Sequence, residues 1–268
     1  MARICVINIQ GEEISGLFTH YAKEVGARVL RPETQLDTKS PNPGVKRAFA
    51  LSSSYVTLLN KREMIEKIIE AEKEGYDAVV VHCFLDPGMR EAREIVNIPV
   101  LGPGESSLLF ACMTGHKFAI IGINDPKVIP DTYNMLRVYG LESRGITNPI
   151  RVMSMPFREF VINVKDAKDE IISDVIEIAK GCVAEGAESI ILGCTGLGPI
   201  FTIEGITSIP DMEVPIFDCL AVAVKAAESV VDFKERLGFP FASRACMYKP
   251  PREKDLMMAR ENFGLKPY

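Results

Sequence analysis

The sequence predicts an α/β protein built from two similar parallel-sheet domains related by a pseudo-two-fold axis. Three observations carry that expectation. Short β-branched runs alternate with helical patterns, the order that a parallel sheet with crossover helices requires. Landmarks of the first half recur in the second: residues 74–83 read EGYDAVVVHC and residues 185–194 read EGAESIILGC. In the same order, VIN at 6–8 answers GIN at 122–124, and IPV at 98–100 answers VPI at 214–216. Finally, a chain of 268 residues that is 47% hydrophobic and 25% charged has enough apolar material for two cores.

Taken in order, RICVINI (3–9) reads as a strand, the segment near 13–25 as an amphipathic helix, and ARVLRP (27–32) as a second strand. NKREMIEKIIEAEKE (60–74) sets Met64, Ile65, Ile68, Ile69 and Ala71 along one helical stripe. DAVVVHC (77–83) is a continuous apolar run, as expected of a strand covered on both faces. ILGC (191–194) ends the matching strand of the second copy, and DCLAVAVKAAESVVDFKER (218–236) reads as a helix. The expected domains are residues 1–105 plus 220–268, and residues 106–219. The last helix and the tail then return to the first domain.

Ligands of open α/β sheets bind beyond the carboxyl ends of the strands. Two such domains facing each other place the site in the cleft between them, with Cys83 and Cys194 entering from opposite sides. Inverting a carbon centre needs a base on one face and an acid on the other, and two thiols, one ionised, can exchange these roles. A helix following each strand is expected to bring the thiol pKa towards neutrality. The small residues Thr195, Gly196 and Gly198 leave backbone N–H groups free for an enolate oxygen, and Pro87 and Gly88 make a comparable turn after Cys83.

Other features narrow the field. A net charge of −5, with no basic block, argues against nucleic acid as a partner. The densest basic stretch, KPPREK (249–254), reads as solvated tail. No run of 18 apolar residues is present, and MARICVINIQGEE lacks the apolar core of a signal peptide. No membrane partner is expected, and a cytoplasmic location with reduced thiols is. None of the seven cysteines has zinc-ligand spacing, so neither a metal nor a disulfide framework is expected. Cys5, Cys112, Cys182 and Cys219 read as packing residues, and Cys246 has no assigned role. Strand alternation turns His82 away from the cleft, as a packed or hydrogen-bonded residue. His20 and His116 read as surface or strand-start residues.

CFLDPGMREAREIVNIPVLGPGESS (83–107), together with ILGCTGLGP (191–199) and VPIFDCLAVAVKAAE (214–228), resembles the aspartate/glutamate/hydantoin racemase superfamily, in its hydantoin and allantoin branch. Cys83, Phe84, Asp86, Pro87, Gly88, Ala92, Arg93, Glu94 and Glu105 match the branch pattern. The resemblance covers roughly residues 3–236. It implies racemisation without a cofactor or metal, with Cys83 and Cys194 as the base–acid pair. Backbone around Phe84 and Thr195 would hold substrate oxygens, and the substrate would be a small molecule such as a 5-substituted hydantoin or related ureide. The Asn-Thr and Thr-His pairs of amino-acid racemases are replaced here by Phe84-Leu85 and Thr195-Gly196. The branch opens with Asn-Pro-Asn-Thr, whereas this chain has Asn8-Ile9-Gln10-Gly11. In the second domain Asn124-Asp125-Pro126 stand where small hydroxyl residues are usual, and Asp125 either repels a carboxylate or caps the next helix.

The expected substrate-binding residues are therefore Asn8, Gln10, Gly11, Phe84, Asn124, Asp125, Thr195 and Gly196. A homo-oligomer is expected, and the tail at 241–268 is either an arm on a neighbouring subunit or a cover on the first domain. Competing readings are a maleate-type cis–trans isomerase or decarboxylase, an aspartate or glutamate racemase, and a binding protein without turnover.

Overall fold

A computed structural model describes residues 1–238 and 240–268. Phe239, within the stretch expected to return to the first domain, lies outside the described residues. The first half runs β1 (Arg3–Asn8), α1 (Gly16–Val29), β2 (Gln35–Lys39), α2 (Ser54–Lys73), β3 (Ala78–His82), α3 (Met89–Ile95), β4 (Val100–Leu101) and α4 (Pro103–Thr114). The second runs β5 (Phe118–Asn124), α5 (Val128–Tyr139), β6 (Gly145–Pro156), α6 (Phe157–Asn163), α7 (Lys168–Ala184), β7 (Ser189–Leu192), α8 (Gly198–Ile203), β8 (Ile216–Asp218) and α9 (Cys219–Leu237). A final helix, α10 (Glu253–Asn262), lies in the tail.

Two four-stranded sheets result, ordered β2-β1-β3-β4 and β6-β5-β7-β8, with every pairing parallel. The internal match is thus a match of topology. VIN and GIN lie on β1 and β5, and Cys83 and Cys194 lie just past β3 and β7.

Alternation along the buried strands decides what each face covers. In β1 and β3, Cys5, Ile7, Val79 and Val81 pack beneath α2 and α3. Ile4, Val6, Ala78 and Val80 face the other way, towards α1 and α9. In β5 and β7, Ile121, Ile190 and Leu192 share a core with α7 and α8. Phe118, Ile120 and Ile191 pack on α4 and α5. The last helix of each half is therefore exchanged. Helix α4 follows β4 but covers the second sheet, whereas α9 follows β8 and covers the first through Leu220, Ala223, Val224, Ala227 and Val231.

The expected strand at 27–32 is a correction. Ala27–Val29 continue α1, which ends where Leu30 turns extended. The true β2, QLDTK, pairs with β1 along its length but exposes or half-exposes all five residues. An edge strand of that kind carries no apolar signal, so its register on β1 decides it and its composition does not.

The tail covers the first domain. Arg260 forms a two-pronged ion pair with Glu66 of α2 at 2.7 and 2.9 Å. Arg244 donates to the carbonyl of Arg93 at 3.0 Å, and Tyr268 to that of Ile95 at 2.9 Å. Lys249–Lys254 are exposed, as a solvated stretch should be. Among the described residues, no helix is long and apolar enough to cross a membrane.

Candidate active site

A cavity of about 420 Å³ opens between the two sheets at their carboxyl ends, and both Cys83 and Cys194 line it. Its wall is mostly apolar. Leu17 and Phe18 come from α1, Phe49 and Leu51 from the one-turn helix at 48–52, and Phe157, Phe160 and Val161 from α6. None of these side chains carries a sequence signal, because each reaches the cavity from an element remote from either cysteine.

The two cysteine loops are locked to each other. Thr195 donates its hydroxyl to the carbonyl of His82 at 3.2 Å. The ring of Phe84 packs where a Cβ on Gly193 would stand 3.2 Å from its edge, which ties the first loop to the second domain's core. Beneath them His82 is fully buried, edge-on to Phe18, and its Nδ1 meets Oδ1 of Asn8 at 2.8 Å. Burial, only partly offset by the Thr195 backbone, pulls the His82 pKa down to about 3, so the ring stays neutral. It is a packed residue.

Each cysteine loop is also pinned to a helix start by one buried carboxylate. Asp86 accepts the N–H of Gly104 at 2.9 Å and that of Glu105 at 2.7 Å, capping α4, and takes the Tyr139 hydroxyl at 3.1 Å. Asp218 caps α9 by accepting the N–H of Leu220 at 2.9 Å, and also takes the Thr202 hydroxyl at 2.8 Å. The two solutions are reciprocal. Asp86 sits on the cysteine loop against Gly102 and Gly104 of the helix start, whereas Asp218 sits at the helix start against Gly198 of the loop. A Cβ on Gly102 or Gly198 would overlap the carboxylate, and one on Gly104 would press against that of Asp86 at 3.0 Å. Burial raises the Asp86 pKa to about 7 and that of Asp218 to about 6, with the capping N–H groups opposing.

The thiols differ from expectation. Burial pushes Cys83 up to about 12 and raises Cys194 as well, outweighing the backbone N–H groups that favour each thiolate. Those donors are placed alike, Leu85 for Cys83 and Gly196 for Cys194, the latter at 3.3 Å from Sγ. Charge on Cys194 raises the Cys83 pKa further, so ionising one thiol disfavours ionising the other. The N–H groups of Phe84 and Thr195 have no acceptor among the described residues. That of Gly198, expected to be free, bonds the Cys194 carbonyl at 2.9 Å.

Of the expected binding residues, Gln10, Phe84, Asp125, Thr195 and Gly196 line the cavity. Three do not. Asn8 is fully buried, with its amide donating to Thr19 at 3.1 Å and Ser40 at 3.0 Å. Gly11 packs against Gly44 and donates to the Val45 carbonyl at 3.0 Å. Asn124 turns its amide to the Ser154 carbonyl at 3.1 Å. Sequence adjacency to a strand end suggested all three, but strand alternation and local turns direct them elsewhere. Of the two readings weighed for Asp125, the structure bears on the cap: Asp125 stabilises the turn before α5, whose N-cap residue Lys127 has no side-chain cap of its own. It accepts the Lys127 N–H at 2.9 Å in the turn before α5, and its other oxygen takes the Ser52 hydroxyl from across the cleft. Lys127 reaches back to Ser54 at 2.8 Å, making a second crossing bond.

Paired parallel sheets with a thiol at the tip of matching strands in one cavity define the class, a two-domain racemase-type α/β fold. The pattern of the Asp/Glu/Hydantoin racemase family matches residues 18–227, and the chain belongs to that family. It is an isomerase of the racemase type. The hydantoin racemase of Pseudomonas sp. (strain NS671) is 31% identical over 235 residues, 87% of each chain. That of Paenarthrobacter aurescens is 28% identical over 258 residues, 95% of this chain and all of the other. Among solved structures, the allantoin racemase from Klebsiella pneumoniae shares the fold, with a TM-score of 0.76 over 94% of each chain at 23% identity.

Proposed function

We propose that the protein inverts C5 of a 5-substituted hydantoin or related ureide without a metal or organic cofactor, using Cys83 and Cys194 on opposite faces of that carbon. The observation that carries this reading is the pair itself: two thiols, each at the end of an equivalent strand in a different sheet, on the wall of one cavity. One thiolate removes the C5 proton while the thiol opposite delivers its own to the other face, so the charge moves from one sulfur to the other. The next turnover, on the opposite enantiomer, restores the first state.

The raised thiol pKa values suit this chemistry. A carbon acid beside a carbonyl is weak, and a desolvated thiolate is a stronger base than a solvated one, which narrows the gap that proton transfer must cross. The free N–H groups of Phe84 and Thr195 are the donors for the oxygen that gains charge as the proton leaves. The apolar wall suits a neutral ring with an apolar substituent and shields the thiolate from water. Similarity to the two hydantoin racemases favours the same substrate class.

The test is loss of optical rotation by single enantiomers across a panel of 5-substituted hydantoins, allantoin, free amino acids and maleate. Exchange of the C5 hydrogen in D2O is followed in parallel. Hydantoins are expected to racemise, and Cys83→Ser and Cys194→Ser each to stop it. Full activity in both single variants would remove the two-cysteine mechanism.

A further inference from the structure

Most polar side chains on the cavity wall are already engaged. Ser52 donates to Asp125, Thr57 to the Leu51 carbonyl at 2.9 Å, and Thr195 to the His82 carbonyl at 3.2 Å. Lys127 is held by Ser54 at 2.8 Å, Lys46 pairs with Glu13 at 2.8 Å, and Arg47 lies over the Phe49 ring. Gln10 stands apart. It is 4% exposed, lines the cavity, and its carboxamide has no hydrogen-bond partner among the described residues. Asp131 also lines the cavity without a side-chain partner, but it is only half-buried and stays within reach of water.

A carboxamide on a nearly buried residue with neither edge engaged by the protein keeps its donor and acceptor open to the cavity, where a ligand can displace water and pair with both. The backbone on either side of Gln10 is held. The Asn60 amide donates to the Ile9 carbonyl at 2.8 Å, and the Gly11 N–H donates to the Val45 carbonyl at 3.0 Å. The residue is therefore fixed at the carboxyl edge of the first sheet, two positions past Asn8, which pairs in register with His82 beside Cys83.

We infer that Gln10 is the residue that selects a ureide ring, pairing its carboxamide with one ring N–H and the carbonyl next to it. This rests on the proposed hydantoin chemistry and names what reads the ring. A carboxamide presents one acceptor and one donor edge side by side. A ring N–H beside a ring C=O presents the complementary pair. A carboxylate offers acceptors only, so one of its oxygens would face the Gln10 oxygen without a proton between them. The same geometry thus favours the planar N–H and C=O edge of a ureide over a carboxylate edge, a discrimination of the kind that unpaired polar groups in a site make large.

The test measures kcat/KM for 5-benzylhydantoin and for its N1-methyl and N3-methyl derivatives, in the wild type and in Gln10→Met and Gln10→Glu. Met keeps the length of the side chain without its hydrogen bonds, and Glu keeps the shape but replaces the donor edge by an acceptor. In the wild type, methylating the nitrogen that Gln10 reads is expected to lower kcat/KM tenfold or more. Both variants are expected to lose tenfold or more on the parent compound. In Gln10→Met the penalty for methylating one of the two nitrogens shrinks to less than threefold, the signature of a shared contact. Gln10→Met that keeps both penalties, or a pair of variants with wild-type kcat/KM, would overturn the role of Gln10 while leaving the proposed reaction intact. A wild type that exchanges the C5 hydrogen of no hydantoin would overturn both.

Discussion

Thr195 donates its hydroxyl to the carbonyl oxygen of His82 at 3.2 Å, so the residue after one cysteine holds the residue before the other. The bond is buried and joins the two sheets at the point where the thiols meet the cavity. Thr195→Val keeps the branched shape and leaves a buried carbonyl unpaired, which predicts a stability loss of about 1–2 kcal/mol. Because the bond sets the spacing of the cysteine loops, kcat is expected to fall about tenfold or more with a smaller change in KM. Thr195→Ser, which keeps the hydroxyl, should recover most of both. Steady-state kinetics and denaturant unfolding check this.

The pH dependence follows from the direction of the thiol shifts. Burial raises Cys83 to about 12 and raises Cys194, so at neutral pH only a small fraction of the free enzyme carries the thiolate that the proposed mechanism uses. Activity should therefore climb as pH rises from 7, by up to about tenfold per unit while the thiolate fraction limits the rate. Initial racemisation rates between pH 6.5 and 9.5 read this directly. A profile that falls over that range would contradict a thiolate base.

Gly104 tests the coupling between the first cysteine loop and α4. It lies in the first turn of that helix, where alanine would ordinarily be favoured by about 1 kcal/mol. Here an added Cβ would overlap the Phe84 carbonyl and Met135 and crowd Asp86. Gly104→Ala is thus expected to destabilise by about 1–3 kcal/mol, against the helical preference, and to displace Phe84 and Cys83 enough to depress kcat. Thermal unfolding and kinetics of the one variant decide the sign.

His82 predicts an acid limit on stability. Its pKa falls from 6.5 to about 3 on folding, so the unfolded chain takes up a proton that the folded one refuses. The stabilising contribution is complete above pH 6.5 and is lost as pH falls towards 3, by up to about 1.4 kcal/mol per unit. Asp86 and Asp218 act oppositely, since their raised values make stability fall as pH rises from about 4 towards 7. The comparison is therefore between wild type and His82→Gln, whose stability difference should shrink or reverse as the pH is lowered from 7 to 4.5. Urea unfolding at a series of pH values measures it.

The sequence by itself determined the architecture and the position of both thiols. Buried parallel strands are continuous apolar runs, and a duplicated fold repeats them, so EGYDAVVVHC and EGAESIILGC could be aligned without coordinates. The cysteine that ends each run falls at a sheet's carboxyl edge for the same reason. Tertiary structure decided what local pattern does not encode. The edge strand β2 is polar and exists through its register on β1. Asn8, Gly11 and Asn124 sit beside the strand tips, yet their hydrogen bonds turn them away from the cavity. Phe49, Phe157 and Phe160 form its wall from elements distant in the chain. The thiol pKa values went up rather than down because desolvation depends on everything packed around a sulfur, and a helix start nearby is only one small part of that surrounding.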